Sequence, residues 1–236
     1  MSLISSLFDK RLDDIEDSFK FLCFFDSLEP WKNETLLHSS TEATLDVTQV
    51  MQSCNKAQFL LLLYNLVEAT IYNCIIQIYD AILDEELKCK DLSNDLQELC
   101  ISYLKKSEKS FANLPREEQL NTLAHFNDTT VNIQGNLDLR KIVEVIEKHG
   151  CKLSSLINRD EVGNSFYIVK QQRNDLAHGN VSFSECGSKY LLSDLQQYKS
   201  HIISTLRIIL QQVDDFILQK KYKNQSFESC NAAIDR

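Results

Sequence analysis

Three residues in the stretch QQRNDLAHGN have side chains and a spacing suited to acid–base chemistry at a phosphate ester. Arg173 is followed directly by Asn174, and His178 lies five residues after the arginine. A guanidinium can donate two parallel hydrogen bonds to phosphate oxygens, and an imidazole can accept or donate a proton near neutral pH. Together they could activate a ribose 2′-hydroxyl, protonate a leaving 5′-oxygen and stabilise the charge of the transition state. Such chemistry needs RNA and requires neither a metal ion nor another cofactor.

The motif is predicted to close a helix that covers residues 161–178. Gly179 follows His178, at the position where a left-handed residue commonly ends a helix. In that last turn the helix dipole favours a protonated imidazole, whereas the nearby Arg173 cation disfavours it. Residues five apart point about 140° from each other on an ideal helix, so the two side chains can meet only if the helix frays. The alternative without catalysis is that Arg173 and Asn174 cap the helix end and that His178 is only a partner of the dipole.

Two further residues could support such a site. Lys170 lies one turn before Arg173 and could contact the RNA backbone, and a solvated lysine is the alternative. Glu68 lies in the most apolar stretch of the chain, where a buried carboxylate requires a cation or several hydrogen-bond donors. Glu68 could therefore pair with Arg173 and orient it, or it could lie at the helix edge and reach water.

The elements that must position these residues are predicted to be long helices. Only 5 glycines and 2 prolines occur in 236 residues, which leaves few turns. Apolar residues recur at spacings of three and four along six stretches, and helices are predicted there: 2–26, 56–83, 91–106, 137–150, 161–178 and 191–217. Residues 107–136 are polar and are predicted to be irregular. The fold class is therefore predicted to be all-α.

Charge and hydropathy restrict the partners that we expect. The net charge of −9 by itself argues against a nucleic-acid partner. Residues 1–100, however, hold 7 Lys or Arg and 18 Asp or Glu, whereas residues 164–236 hold 9 and 7, so RNA should meet the C-terminal third. Acidic residues near the N-terminus and the short length of the longest wholly apolar run, FLLLLY, predict a cytoplasmic protein without a membrane partner.

Cysteines and histidines outside the motif do not predict a metal site. The 8 cysteines lack a C-x-x-C spacing and several lie in apolar helical runs, so they are predicted to be reduced core thiols. Three histidines have no acidic or thiol neighbours at metal-ligand spacing and are predicted to be surface or core residues: His125, His149 and His201.

The Arg-Asn-x-x-x-His motif in a long all-α setting resembles the HEPN superfamily (higher eukaryotes and prokaryotes nucleotide-binding). Four stretches occur in the order associated with stand-alone bacterial HEPN-like nucleases: FLLLLYNLVEATI, GNLDLRKIVEVIEKHG, QQRNDLAHGNVSFSECG and FILQKKYK. The resemblance covers residues 56–223 and implies a HEPN-like bundle of long antiparallel helices. Residues 1–55 would then form an extra N-terminal helix and linker, and residues 224–236 a flexible tail.

The resemblance implies a metal-independent endoribonuclease, a toxin or anti-phage effector that leaves a 2′,3′-cyclic phosphate. Arg173 and His178 would be the catalytic pair, and Asn174 would orient them. A homodimer is implied, with one composite site that holds these residues from both chains, and an antitoxin or sensor protein is a further partner. Control by adenylylation is not implied, because toxins controlled in that way typically carry Tyr where this chain has Asn180. The alternative is a catalytically inactive HEPN module that binds RNA or a protein.

Overall fold

The computed structural model of the protein describes residues 3–32, 34–126, 133, 136–153 and 157–224. The α-helices and β-strands in these ranges are, in chain order, α1 (Leu3–Asp26), β1 (Thr35–Leu37), β2 (Thr44–Asp46), α2 (Gln49–Leu83), α3 (Asn94–Ser107), α4 (Lys109–Ala112), α5 (Arg116–Asn121), α6 (Leu139–Lys148), α7 (Arg159–Ala177), α8 (Phe183–Gly187) and α9 (Leu192–Leu218). The all-α prediction is confirmed. Residues 225–236, which make up nearly all of the predicted tail, lie outside the described residues.

The central helix of the fold is α2, which is buried along one wide face between Ala57 and Ile82. This burial follows from its sequence, which is apolar nearly all the way round. The helix begins at Gln49 and not at the predicted residue 56, because Thr48 caps it. The Thr48 hydroxyl accepts a hydrogen bond from the Met51 N–H at 3.2 Å.

By length and composition alone, α2 could also cross a membrane, since its most apolar window has a mean hydropathy of 1.7. The core helix of a globular bundle meets the same criteria, and 56% of that window is buried inside the fold. The expected absence of a membrane partner stays a prediction.

Helix α1 packs along α2 and runs in the opposite direction. The rings of Phe19 and Phe59 have centroids 5.2 Å apart, and the Gln52 amide donates to the carbonyl oxygens of Phe25 and Leu28 at 2.9 and 2.8 Å. Residue numbers therefore rise along α1 where they fall along α2, so the two helices are antiparallel. The predicted boundary at residue 55 falls inside α2, and the division of the chain into domains stays a prediction.

Polar contacts show the direction in which α9 runs relative to α1. The Lys199 ammonium lies 2.7 Å from the Glu16 carboxylate and 4.5 Å from the centroid of the Phe19 ring, with its side chain only 10% exposed. Near the other end, the Ser5 hydroxyl donates to Asp214 at 3.4 Å. Helix α9 therefore runs antiparallel to α1 and parallel to α2, and α7 completes the bundle by packing against both α2 and α9.

Two regions differ from the predicted pattern. The linker after α1 contains the antiparallel hairpin β1–β2, in which Leu36 pairs with Leu45. Such a short hairpin has too few residues for a visible period and is only marginally stable without support from the body of the fold. The polar segment 107–136 contains the one- and two-turn helices α4 and α5, of which α5 starts directly after Pro115. Residues 127–132, 134 and 135 of this segment lie outside the described residues.

Helix α8 approaches the backbone of α2 without a side chain between them. A Cβ atom added at Gly187 would lie 1.7 Å from the Ser53 carbonyl oxygen, so only glycine fits there. A capping box begins α8, with Ser182 accepting from the Glu185 N–H and the Glu185 carboxylate accepting from the Ser182 N–H. The buried Cys186 thiol donates to Gln172 on α7 at 3.4 Å. These contacts anchor the segment that follows α7 against the core.

The seven described cysteines are free thiols, five of them buried and two half-buried. Cys230 lies outside the described residues.

His149 is a core histidine with 5% of its surface exposed. Its Nε2 lies 2.7 Å from the Tyr79 hydroxyl, and its Nδ1 lies 2.7 Å from the Val145 carbonyl oxygen. This geometry fits a neutral ring that donates to Val145 and accepts from Tyr79. Burial lowers the pKa of His149 below its ordinary value. Of the other three histidines outside the motif, His38 and His125 are exposed and His201 is half-buried.

The free energy of unfolding should fall as the pH drops below about 6.5, because the unfolded chain binds a proton at His149 that the folded protein excludes. This contribution is fully present above that pH and is lost toward the lower folded pKa, at up to about 1.4 kcal/mol per pH unit. Chemical denaturation at about pH 7.5 and about pH 5.5 measures it. His149→Gln should show a smaller pH dependence and His125→Gln an unchanged one. Equal pH dependence in wild type and His149→Gln would contradict the buried neutral ring.

Gly187→Ala should lower the free energy of unfolding by about 2 kcal/mol or more, since the clash is with backbone and two helices must separate. Gly163→Ala is the matched control, because its added methyl group lies 4.0 Å from the nearest atom, Leu139 Cδ2. That change should be neutral or stabilising by up to about 1 kcal/mol. Denaturant unfolding of both variants checks the contrast, and similar values for the two would refute the close approach.

Candidate active site

As predicted, His178 lies at the end of α7. The helix ends at Ala177 with His178 as its C-cap, and the His178 N–H donates to the Asn174 carbonyl oxygen at 3.0 Å. Gly179 has a φ of 70°, the left-handed conformation expected of a residue that closes a helix. The backbone of His178 is thus fixed, whereas its imidazole is exposed to solvent and accessible to a substrate.

Arg173 is half-buried and turned toward α2. Its guanidinium carbon lies 5.1 Å from the centroid of the Tyr64 ring, within the range of a cation–π interaction. Its Nη1 donates to the Asn174 side-chain oxygen at 3.2 Å. The Tyr64 ring thus lies against the Arg173 guanidinium, and the hydrogen bond to the Asn174 side chain restrains the rotation of that group.

Both other residues of the motif therefore touch Asn174. Its side chain bonds Arg173, and its main-chain carbonyl bonds the N–H of His178. The structure brings Arg173 and Asn174 into direct contact and connects His178 to them through one turn of backbone. The catalytic roles of the three residues stay predictions.

Sequence reasoning missed Tyr64, which is buried in α2 with 1% of its surface exposed. Its hydroxyl accepts a hydrogen bond from the Leu137 N–H at 3.2 Å, and burial raises the pKa of Tyr64 above its ordinary value. The Tyr64 ring therefore supports Arg173, and the Tyr64 hydroxyl binds the backbone just before α6. One signal was available: a phenol inside the apolar run FLLLLYNLVEATI must find a polar partner.

Glu68 lies one turn after Tyr64 on α2 and is half-buried. Among the causes of the raised Tyr64 pKa, burial is the largest, the Glu68 charge acts in the same direction and the Arg173 charge opposes it. Glu68 and Arg173 therefore both lie within electrostatic range of the Tyr64 hydroxyl. A direct pair between them stays a prediction.

Lys170 is engaged in an ion pair that faces α6. Its ammonium lies 2.8 Å from Asp138, and its side chain is only 12% exposed. Asp138 also caps α6 by accepting from the Lys141 N–H at 2.9 Å. Burial alone would raise the pKa of Asp138, but the bonds from Lys170 and Lys141 outweigh it and hold that pKa below its usual value. Direct contact of Lys170 with RNA, which stays a prediction, would require this ion pair to open.

Asp175 holds the loop that follows the motif, and sequence reasoning also missed it. The Asn180 N–H donates to the Asp175 carbonyl oxygen at 2.8 Å, and the Asn180 side-chain amide donates to the Asp175 carboxylate at 3.3 Å. The Gln171 amide donates to the same carboxylate at 3.2 Å. The chain is thus folded back against α7 just after His178, and Asn180 is part of that fold-back.

Away from the motif, the described residues form a cavity and no cluster of metal-binding side chains. Within the described ranges, no three His, Cys, Asp or Glu side chains are grouped so that they could hold a metal ion. A cavity of about 380 Å³ lies between α3 and the end of α6. Its lining contains none of the predicted site residues and consists of Asn94, Asp95, Glu98, Leu99, Ser102 and Lys148.

Comparison with known protein families agrees with the family resemblance and with the all-α fold. A family model described as MAE_28990-like HEPN matches residues 5–222. No curated protein and no solved structure matches the chain significantly. The matched region begins inside α1, so the resemblance extends to the N-terminal helix and does not start at residue 56. The chain therefore belongs to the HEPN superfamily.

Proposed function

We propose that the protein is a metal-independent endoribonuclease of HEPN type that acts in the cytoplasm as a toxin or anti-phage effector. Membership of the superfamily points to a nuclease or an RNA-binding module. The observation that carries the finer proposal is the arrangement at the end of α7. There Asn174 bonds both the Arg173 guanidinium and the His178 backbone, and the imidazole is open to solvent. Cleavage at phosphate needs an anchored cation and an accessible proton-transfer group.

In the proposed reaction, the 2′-oxygen of a ribose attacks the adjacent phosphorus while one imidazole removes the 2′-hydroxyl proton. The bond from phosphorus to the 5′-oxygen breaks, and that oxygen takes a proton from a second imidazole. The products are a 2′,3′-cyclic phosphate and a free 5′-hydroxyl end. Arg173 donates hydrogen bonds to the non-bridging oxygens, whose negative charge grows in the transition state.

This reaction uses two imidazoles, whereas the motif of each chain supplies one. A symmetric homodimer resolves the difference if His178 and Arg173 of both chains face one cleft. Two copies of the C-terminal third, which carries more Lys and Arg than Asp and Glu, would also double the positive charge near the RNA. An antitoxin or a phage sensor is the proposed partner that restrains the nuclease.

A catalytically inactive HEPN module is the second candidate function. The net charge of −9 favours it, because an acidic protein repels RNA over most of its surface. The side chains of Phe21 and Phe24 on α1 are 54% and 57% exposed, which favours a protein partner over RNA for this second function.

The purified protein should cleave total RNA in the presence of EDTA and leave cyclic phosphate ends. Arg173→Ala and His178→Ala should each reduce the cleavage rate by at least about 100-fold, since each removes a group that acts only in the transition state. Gel analysis of the RNA and of its ends measures both effects.

The controls are Arg11→Ala and His125→Ala, which remove an exposed arginine and an exposed histidine outside both the motif and the C-terminal third. Both should cleave at the wild-type rate. Unchanged cleavage by His178→Ala would overturn the assignment of the proton-transfer group. RNA binding by the wild type without any cleavage would establish the second candidate function instead.

A dimer that carries His178→Ala in one subunit tests the composite site. Purified through two different affinity tags, this heterodimer should be nearly as inactive as the double variant, because one of the two imidazoles is missing. Two independent sites would instead give about half of the wild-type rate. A heterodimer of wild type and Arg11→Ala, prepared in the same way, should keep full activity.

A further inference from the structure

We propose that Tyr167 is a stacking platform for an unpaired base of the RNA, a role that rests on the proposed ribonuclease function. Tyr167, Gln171, Asn174 and His178 are spaced by four, three and four residues, which places them on one face of α7. The Tyr167 side chain on this face is 52% exposed. A large aromatic ring is thus open to solvent in line with the motif.

The ring is held in place from within the protein. The Lys170 ammonium lies 5.3 Å from the centroid of the Tyr167 ring, and Asp138 in turn fixes this ammonium at 2.8 Å. Because Asp138 neutralises the cation, phosphate gains little by binding at this point. An aromatic ring that is restrained on one side and exposed on the other is suited to stacking against the flat face of a base.

The position of the ring defines the class of substrate. At a rise of 1.5 Å per residue, Tyr167 lies about 10 Å from Asn174 and about 16 Å from His178 along the helix axis. At a stacked rise of about 3.4 Å per nucleotide, the longer distance corresponds to at most about five nucleotides. A base within a duplex cannot leave its stack to reach the ring without losing its pair. The substrate is therefore single-stranded RNA, with an unpaired base within about five nucleotides of the cut.

Binding to RNA, measured in a His178→Ala background, tests this proposal without depending on cleavage. A labelled single strand of about ten nucleotides is titrated by fluorescence anisotropy. Tyr167→Ala should weaken binding by about 5- to 100-fold, whereas Tyr167→Phe should retain it, since Phe preserves the ring. Phe24→Ala removes an exposed aromatic ring on α1 and should have no effect.

Three outcomes would overturn the proposal. Tyr167→Ala could leave the affinity for the single strand unchanged, or it could weaken binding to a duplex of the same sequence by the same factor. The third outcome is a change in the mass of the Tyr167→Ala protein in solution. The last outcome would place the ring between two copies of the chain. A Tyr167-dependent interaction with single-stranded RNA in a wild type that does not cleave it would refute the nuclease alone. If cleavage is observed, Tyr167→Ala should raise KM by a similar factor and leave kcat nearly unchanged.

Discussion

A helix that is apolar on every side exposes much of its surface to water unless other helices cover it. In this protein α2 is such a helix, and α1, α7, α8 and α9 cover it. Removing so much apolar surface from water is the main favourable contribution to folding, so the positions of the other elements follow from it. Helix α8 illustrates the constraint, because it approaches so closely that Gly187 has no room for a Cβ atom.

The candidate site depends on the same helix through one polar side chain. Tyr64 is buried among apolar neighbours in α2, and its hydroxyl and ring contact Leu137 and Arg173 respectively. A buried phenol with a satisfied hydroxyl holds its ring in one place. The Arg173 guanidinium is therefore supported by the buried centre of the fold, whereas His178 at the end of α7 is exposed. Catalysis at phosphate depends on such preorganisation, because charged groups that must first be ordered contribute less to the transition state.

Helical periodicity and helix-ending residues allowed the fold and the position of the motif to be predicted from sequence. The period of apolar residues identified the long helices, and Gly179 placed His178 at the end of α7, because these signals are local. Tyr64, Asp175 and the Lys170–Asp138 ion pair were not foreseen as supports of the site. Their roles arise from contacts within a folded loop or between segments distant in sequence. One amino-acid sequence alone does not specify which of these residues come into contact. The start of α2 and the hairpin β1–β2 were missed because capping and short strands leave only a weak pattern.

The ion pair of Glu16 and Lys199 joins residues 183 positions apart, between α1 and α9. During synthesis on a ribosome α1 is made before α9, so the ammonium that pairs with Glu16 is added only when α9 is made. Until then the faces of α1 and α2 that α9 covers remain uncovered, since domains generally fold as units once their parts are available. The bundle that displays the end of α7 is thus complete only once α9 has been made.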